Sequence, residues 1–367
     1  MTRVLYGFSG EGSGHSSRAR EMARALIANG HELKLCSYDR GYRNLGDEFD
    51  VFEIEGLTVG SSDNRVSIVK TFTENLKRLP DAGRKVFALR ELFKTYEPHC
   101  VISDFEPMTA VLAHHFALPL ISLDNQHRMR YVEHEIPEGR EQEALMTRTI
   151  IRMMVPSPDV ALVTSLVPGK PRNDRTFVFP PMVAAEVRQR VTTKGDAILV
   201  YVTNGFDSLV DLLKRFSRER FLIYGTGRPQ GHDGNLAIFE PSRPRFLEQL
   251  AAAKAVIATA GFTLISEALF LKKPYLAFPM EGQYEQELNA FQLSKSGWGR
   301  TAQQTCYETI GSFLYDLPDM DNTLSEMPSI GDGEAIKQKL LDLVADDAEL
   351  ATAYRAKRKG ETTHSDE

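Results

Sequence analysis

The chain has 367 residues, 42% hydrophobic and 26% charged, with a formal net charge of -6. That length suits two domains, and that composition a globular protein with substantial cores. The acidic balance argues against nucleic acid as the main partner, because phosphate binding needs a basic surface.

Every apolar run falls short of the roughly 18–20 residues of a membrane span. Arg3 and the glycines after Phe8 are unlike a signal peptide, so the expectation is a cytoplasmic protein, peripheral at most to the inner face of the membrane. Cys36, Cys100 and Cys306 are odd in number and form no CxxC pair, which disfavours a disulfide framework or zinc knuckle. Cys36 and Cys100 lie in apolar runs and read as buried thiols.

Residues 3–8 read as a strand, followed by a glycine-rich loop from Ser9 to Gly14. A helix starts near Ser16, with Ala19, Met22, Ala23, Leu26 and Ile27 at three- and four-residue spacing. Asn29-Gly30 ends it, and 31–38 is the next strand. Apolar runs at 51–54, 100–103, 119–123, 159–163 and 176–179 follow, with helical patterns around 81–96 and 107–117. Such alternation predicts a parallel sheet with helices on both faces.

Residues 180–195 break the rhythm with prolines and a polar stretch. The predicted division is a first domain at 1–182, a linker at 183–195, a second domain at 196–354 and a frayed polar tail at 355–367. Strands of the second series fall at 197–203, 220–224, 236–239, 255–258 and 275–278, and helices at 207–217, 244–253, 263–271 and 285–296. The fold class is therefore α/β, with two tandem Rossmann-like domains. Ligands of open parallel sheets bind beyond the carboxyl ends of the strands. Here those ends carry Gly10–His15, Asp104, Asp124–His127, Thr203–Gly205, Gly225–Gly227 and Ala260–Thr263, and two facing sets would form an interdomain cleft.

Gly10, Gly12 and Gly14 imitate a dinucleotide fingerprint, with Asp39 as its ribose acid, but the last fingerprint position is His15. A dehydrogenase reading stays open as a minor alternative, its motif failing at the third glycine. His15 is suited to act as general base on a sugar hydroxyl. Asp104, ending a strand of the same sheet, would hold the imidazole in one tautomer. The plainer alternative makes both residues helix caps.

Residues 244–299 carry the densest signal. Ala260-Gly261 is a tight turn after a buried strand, and the helix starting near Thr263 offers backbone N–H groups and a hydroxyl to a diphosphate. Glu267, one turn on, could accept from a ribose diol. Glu281, Gln283, Glu285, Gln286 and Asn289 are types that grip sugar hydroxyls. As an alternative, Glu285 and Gln286 are solvated residues of a helix's first turn.

This stretch resembles the donor-binding half of metal-independent, two-Rossmann-domain (GT-B) glycosyltransferases. The pattern is nearest to the N-acetylglucosaminyltransferase of the peptidoglycan lipid precursor and to UDP-sugar transferases acting on small molecules. The matching residues are Gly261 to Glu267, Pro279, Gln286-Glu287-Leu288-Asn289-Ala290 and Gly297. With Asp124-Asn125-Gln126-His127, the whole is similar to a sparsely characterised bacterial and archaeal glycosyltransferase-like family. The resemblance implies a UDP-sugar or other nucleotide-sugar substrate, no cofactor and no metal. Gly261 and Thr263 would lie at the diphosphate, Glu267 at the ribose, and Glu285 with Gln286 at the sugar, with Phe262 and Asn289 also on the donor side. Asn204, Gly205 and Gly225 are further donor-side positions at strand ends.

On the acceptor side the resemblance implies Gly12 and Gly14 beside the base His15 and its partner Asp104. Asp124 and His127 are further acceptor-site candidates, with turn and capping roles as the alternative. The family's frequent His-Gly pair is Ala260-Gly261 here. An inverting transferase is the expectation; a nucleotide-sugar hydrolase or epimerase, or a non-catalytic nucleotide-sugar-binding regulator, stays open. Asp319-Met320-Asp321 reads as a surface loop rather than a metal site. Residues 145–154, with Arg148 and Arg152, are read first as a core-facing helix. The second reading, shared with Arg355, Lys357, Arg358 and Lys359, is a membrane surface or a lipid-linked acceptor such as a cell-envelope glycan precursor.

Overall fold

The apolar run at the amino terminus is a central strand of the first unit. A computed structural model describes residues 1–56, 61–62, 65–66, 79–202, 206–328 and 330–364. Two units emerge: Met1–Pro180 together with Gly333–Glu367, and Pro181–Asp332.

In the first unit, β1 (Arg3–Phe8) leads through α1 (Ser13–Ala28), β2 (Glu32–Ser37) and α2 (Asp39–Leu45) to β3 (Val51–Glu53). A short antiparallel pair, β4 (Ser61–Ser62) and β5 (Arg65–Val66), precedes α3 (Leu79–Tyr96) and β6 (Cys100–Asp104). Then come α4 (Pro107–His115), β7 (Leu120–Asp124), α5 (Arg128–Tyr131), α6 (Glu141–Met154), β8 (Val160–Thr164) and β9 (Thr176–Phe179). The sheet order is β3-β2-β1-β6-β7-β8-β9, with all neighbours parallel. Every residue of β6, β7 and β8 is buried, as expected of strands covered on both faces. Leu5, Cys36, Val101 and Leu120 pack with Leu89 and Phe93 of α3 in one core. Both Cys36 and Cys100 are fully buried.

The second unit opens with α7 (Ala185–Arg188) and β10 (Ala197–Tyr201), then α8 (Asp207–Leu213), β11 (Arg220–Tyr224), β12 (Gly231–Asp233), β13 (Leu236–Ile238) and α9 (Arg243–Ala252). It continues with β14 (Ala255–Thr259), α10 (Phe262–Phe270), β15 (Tyr275–Phe278), α11 (Tyr284–Lys295), β16 (Arg300–Thr301) and α12 (Tyr307–Glu326). The order is β12-β13-β11-β10-β14-β15-β16, parallel except for β12 on β13. Ile198, Val200, Ile223, Ile257 and Leu276 pack there against Leu209, Leu213, Phe313 and Leu317.

Four expectations change. Residues 183–195 belong to the second unit, whereas 333–364, expected to end the second domain and fray, return to the first. They form α13 (Glu334–His364), which leaves helical geometry at Ala345–Ala348. Its Ile336, Leu340, Leu343, Val344 and Ala351 are buried, Thr2 Oγ1 donates to Val344 O at 2.7 Å, and Arg358 Nε meets the buried Asp159 at 2.6 Å. Two of the basic residues of the supposed tail thus serve internal pairing, Arg358 with Asp159 and Lys357 with Asp174.

Asp319 and Asp321 lie inside α12 rather than in a loop; Met320 between them is buried, and Asp321 pairs with Lys194. No cluster of three or more metal-ligating side chains occurs among the described residues. Finally, α6 buries only Ala144 and Ile151 fully, leaving Leu145 at 65% and Met153 at 74% exposure. The core-facing reading of that helix therefore accounts for only one of its faces. Among the described residues no helix is long and apolar enough to cross a membrane.

Candidate active site

Each sheet has one point where successive strands depart in opposite directions: between β1 and β6 in the first unit, and between β10 and β14 in the second. Such switch points leave a crevice at the strands' carboxyl ends. The strongest sequence candidates sit at both.

In the first unit, Phe8 lies opposite Asp104 in the β1–β6 register, and Ser9 N donates to Asp104 O at 3.0 Å. Gly10 is pressed against Tyr38, whose carbonyl oxygen would lie 2.1 Å from any added Cβ. Gly12 holds φ at 79° where the chain enters α1, a conformation that favours glycine. Gly14 is half-buried in the first turn. This loop delivers His15, whose Nδ1 lies 2.6 Å from Asp104 Oδ1, with 13% of its side chain exposed.

Asp104 is fully buried and has further partners. Arg18, one turn after His15, donates through Nε to Oδ2 at 2.7 Å and through a terminal nitrogen to Oδ1 at 2.6 Å. Tyr6 OH donates to Oδ2 at 3.4 Å. Burial by itself would raise the Asp104 carboxyl; the Arg18 charge, and after it the contact with His15, outweigh burial and hold the group below its ordinary value. Burial, then Asp104, pushes the Tyr6 phenol up. Sequence reasoning found His15 and Asp104 but missed Arg18, although an arginine three residues after a histidine shares its helix face.

On the next strand, Asp124 Oδ1 accepts from His127 N at 2.8 Å and Oδ2 meets His127 Nδ1 at 2.7 Å. Both residues are fully buried, and the imidazole stacks on Tyr131 at 5.4 Å. This is a turn-closing pair beneath the surface, the alternative the sequence left open.

In the second unit, β14 passes through Ala260 and Gly261 into α10, and no side chain caps that helix. Gly261 has φ of -69°, open to any residue, and nothing lies within 4 Å of an added Cβ. Phe262 is buried and Thr263 half-buried. Gly225 differs: φ is +84°, and a Cβ would meet Val202 O at 2.3 Å. Asn204 and Gly205 lie outside the described residues.

Glu267 is 2% exposed. Its two oxygens take Arg243 at 2.5 and 3.1 Å, while Arg243 Nε reaches Glu186 at 2.8 Å. Arg243 was not singled out from the sequence; it follows Ser242 at the start of α9 and looks like a solvated helix end. Asn289 is fully buried, and its amide donates to Ala260 O at 2.9 Å. It thus pins the turn from behind. Gln286 accepts from Met280 N at 3.2 Å and donates to Gln283 at 2.7 Å. Glu285 stands half-buried beside it.

Two Rossmann-like units with polar switch points are the architecture of the GT-B glycosyltransferases. The chain belongs to glycosyl transferase family 1, whose family model matches residues 2–318. It is 25% identical to an uncharacterized glycosyltransferase of Methanosarcina mazei, over 93% of this chain and 98% of that one. A second, of Methanosarcina acetivorans, is 24% identical over 81% and 85% of the two chains. Among solved structures, the glycotransferase of kitacinnamycin is similar with a TM-score of 0.68 at 15% identity, covering 95% of this chain and 99% of that one. The calicheamicin glycosyltransferase CalG4 gives 0.61 at 14%, covering 96% and 98%. The spinosyn rhamnosyltransferase SpnG, complexed with thymidine diphosphate, gives 0.57 at 15%, covering 92% and 99%. At these identities the structural likenesses establish the fold; the family match establishes a glycosyltransferase.

Proposed function

We propose that the protein moves a sugar from a nucleotide-sugar donor to an acceptor hydroxyl, with inversion at the anomeric carbon and without metal or cofactor. The 2.6 Å bond from His15 Nδ1 to Asp104 carries this reading. It leaves Nε2 to take a proton, at a strand end of the kind where ligands bind. His15 removes the hydroxyl proton as the oxygen attacks the anomeric carbon opposite the leaving nucleoside diphosphate. A positioned base contributes about 10²–10⁴ in rate, and fixed N–H groups at a leaving diphosphate contribute as much or more.

Gly261, Phe262 and Thr263 hold the diphosphate. The space beside Gly261 and the absence of a capping side chain support that role. Glu267 meets the ribose through lone pairs that Arg243 leaves open, since a carboxylate has about four such sites. Glu285 and Gln286 face the sugar, and Asn289 keeps the turn in place. Gly225, with Asn204 and Gly205, completes the donor side. A UDP-sugar is the first donor to test, and a thymidine-diphosphate sugar the second. Gly12 and Gly14 give the acceptor access to His15, and Asp124 with His127 shape that side from beneath. Exposed Leu145 and Met153 beside Arg152 support a lipid-linked acceptor, such as a cell-envelope glycan precursor, met at the cytoplasmic membrane face.

The test is turnover against a panel of nucleotide sugars and acceptors, with and without EDTA. Acceptor-dependent nucleotide release, insensitive to EDTA and lost in His15→Ala, is expected. Free sugar without acceptor identifies a hydrolase, an altered nucleotide sugar an epimerase, and binding without turnover a regulator. Failure to bind any nucleotide sugar overturns the proposal.

A further inference from the structure

The Asp104 carboxylate has every acceptor site taken. Oδ1 receives His15 Nδ1 and an Arg18 terminal nitrogen, each at 2.6 Å. Oδ2 receives Arg18 Nε at 2.7 Å and Tyr6 OH at 3.4 Å. A carboxylate offers about four lone-pair sites. Arg18 thus grips both oxygens as a fork, the geometry that fixes a carboxylate plane.

That fork also decides the state of the histidine. Nδ1 lies 2.6 Å from Asp104 Oδ1 and 3.2 Å from the Arg18 terminal nitrogen. An unprotonated Nδ1 could accept from Arg18, yet its lone pair would then press on a carboxylate oxygen at the shorter distance. A protonated Nδ1 donates along the shorter contact and removes the clash. The shorter contact wins, so the lone pair resides on Nε2.

We propose that Arg18 is the positioning residue for His15: it clamps Asp104 in one orientation and supplies that buried carboxylate's counter-charge, so Nδ1–H is held on Asp104 and Nε2 is left open. The inference rests on the transfer reading of His15. A simple Asp–His pair has a competing outcome, because a fully buried carboxylate lacking another cation favours imidazolium beside it. An imidazolium has no lone pair for a proton. Arginine forecloses this outcome, since it stays charged throughout the working pH range. The groups facing Arg18 are Asp104 from β6, Tyr6 from β1 and Asp124 from β7. Those in contact with His15 are Asp104 and Arg18. Arg18 is therefore the cation among two carboxylates and a phenol, and its 7% exposure keeps solvent ions from replacing it.

The test compares wild type with Arg18→Met and Arg18→Lys. In Arg18→Met the acid limb of the kcat/KM–pH profile should move upward by about one unit or more, the size of a like charge lost from beside the imidazole at contact distance. Arg18→Lys, which restores charge without the fork, should move it less. KM for the nucleotide sugar should stay within about twofold of wild type, the scatter of a site left untouched. Nitrogen NMR of the imidazoles, with the His15 signals identified by their loss in His15→Gln, reads the ring directly. Wild type should show the Nδ1–H tautomer at neutral pH, and Arg18→Met a ring still protonated at a pH where wild type is not. An unshifted acid limb and an unchanged tautomer in Arg18→Met, or in Arg18→Gln if the methionine variant does not fold, overturn the proposal. If no donor supports turnover, the transfer reading fails, while the NMR comparison still judges the clamp.

Discussion

Arg243 and Glu267 face each other across both oxygens of a carboxylate that is almost wholly buried, with contacts of 2.5 and 3.1 Å. Burial would lower the guanidinium's basicity, but Glu267 and then Glu186 drive it the other way. Removing the arginine strands a negative charge. A fully buried pair broken in this way costs about 3–5 kcal/mol. Because 38% of the Arg243 side chain is exposed, Arg243→Ala should cost less, about 1–3 kcal/mol after solvent screening. Urea denaturation checks this, and the double variant Arg243→Ala/Glu267→Gln should recover part of the loss.

Two glycines at strand ends should respond oppositely to alanine. Gly225→Ala places a Cβ 2.3 Å from a backbone oxygen at φ of +84°, and should lower stability by about 1–3 kcal/mol. Gly261→Ala meets open space at an ordinary φ, so its melting curve should stay near wild type, within about 0.5 kcal/mol. Its nucleotide affinity, measured by calorimetry, should nevertheless fall at least about tenfold, the equivalent of 1.4 kcal/mol. Unchanged affinity in Gly261→Ala would remove the diphosphate from that turn.

Lys273 is 3% exposed and donates to Thr193 O at 2.5 Å and Ala253 O at 2.9 Å. Burial lowers its pKa to about 8, against about 10.4 in an unfolded chain. Between those values the unfolded chain holds a proton that the folded one lacks, so this group's contribution to stability rises with pH across that window. It is lost again as pH falls through about 8. The stability difference between wild type and Lys273→Met should therefore move in favour of wild type from pH 7 to pH 10, by denaturation at each pH. A constant difference would mean that the ammonium is not perturbed.

The 2.6 Å contact of Arg358 with fully buried Asp159 joins α13 to the end of the first sheet. Asp159 also caps Leu120 N at 2.9 Å. Arg358→Met should cost about 3 kcal/mol, the low end for opening a buried pair, and should appear as earlier unfolding of the first unit in hydrogen exchange. The second unit's protection should be unaffected.

Legibility in the sequence followed chemistry rather than position. The strands were readable because parallel strands buried on both faces are continuous apolar runs such as Cys100–Asp104 and Ala255–Thr259. The pairing of His15 with Asp104 was readable because the loop and helix after one strand carry His15 and the neighbouring strand ends in Asp104. Arg18 and Arg243 were not, since an arginine in the first turns of a helix looks the same in solvent as clamped on a carboxylate. The return of α13 was equally hidden: Ile336, Leu340 and Leu343 state that a helix has an apolar face, not which sheet it covers. Asp319 and Asp321 misled because Pro318 suggested a loop, whereas α12 carries the proline internally.

The division at Pro180 and Gly333 has a consequence for how the chain is made. The second unit is in effect an insertion in the first, whose helix α13 is translated after it. A ribosome adding about 5–20 residues per second releases the whole second sheet before α13 exists. Until then Thr2, His99 and Asp159 lack the partners that α13 brings them. The first unit therefore cannot complete its contacts until the second has been synthesised.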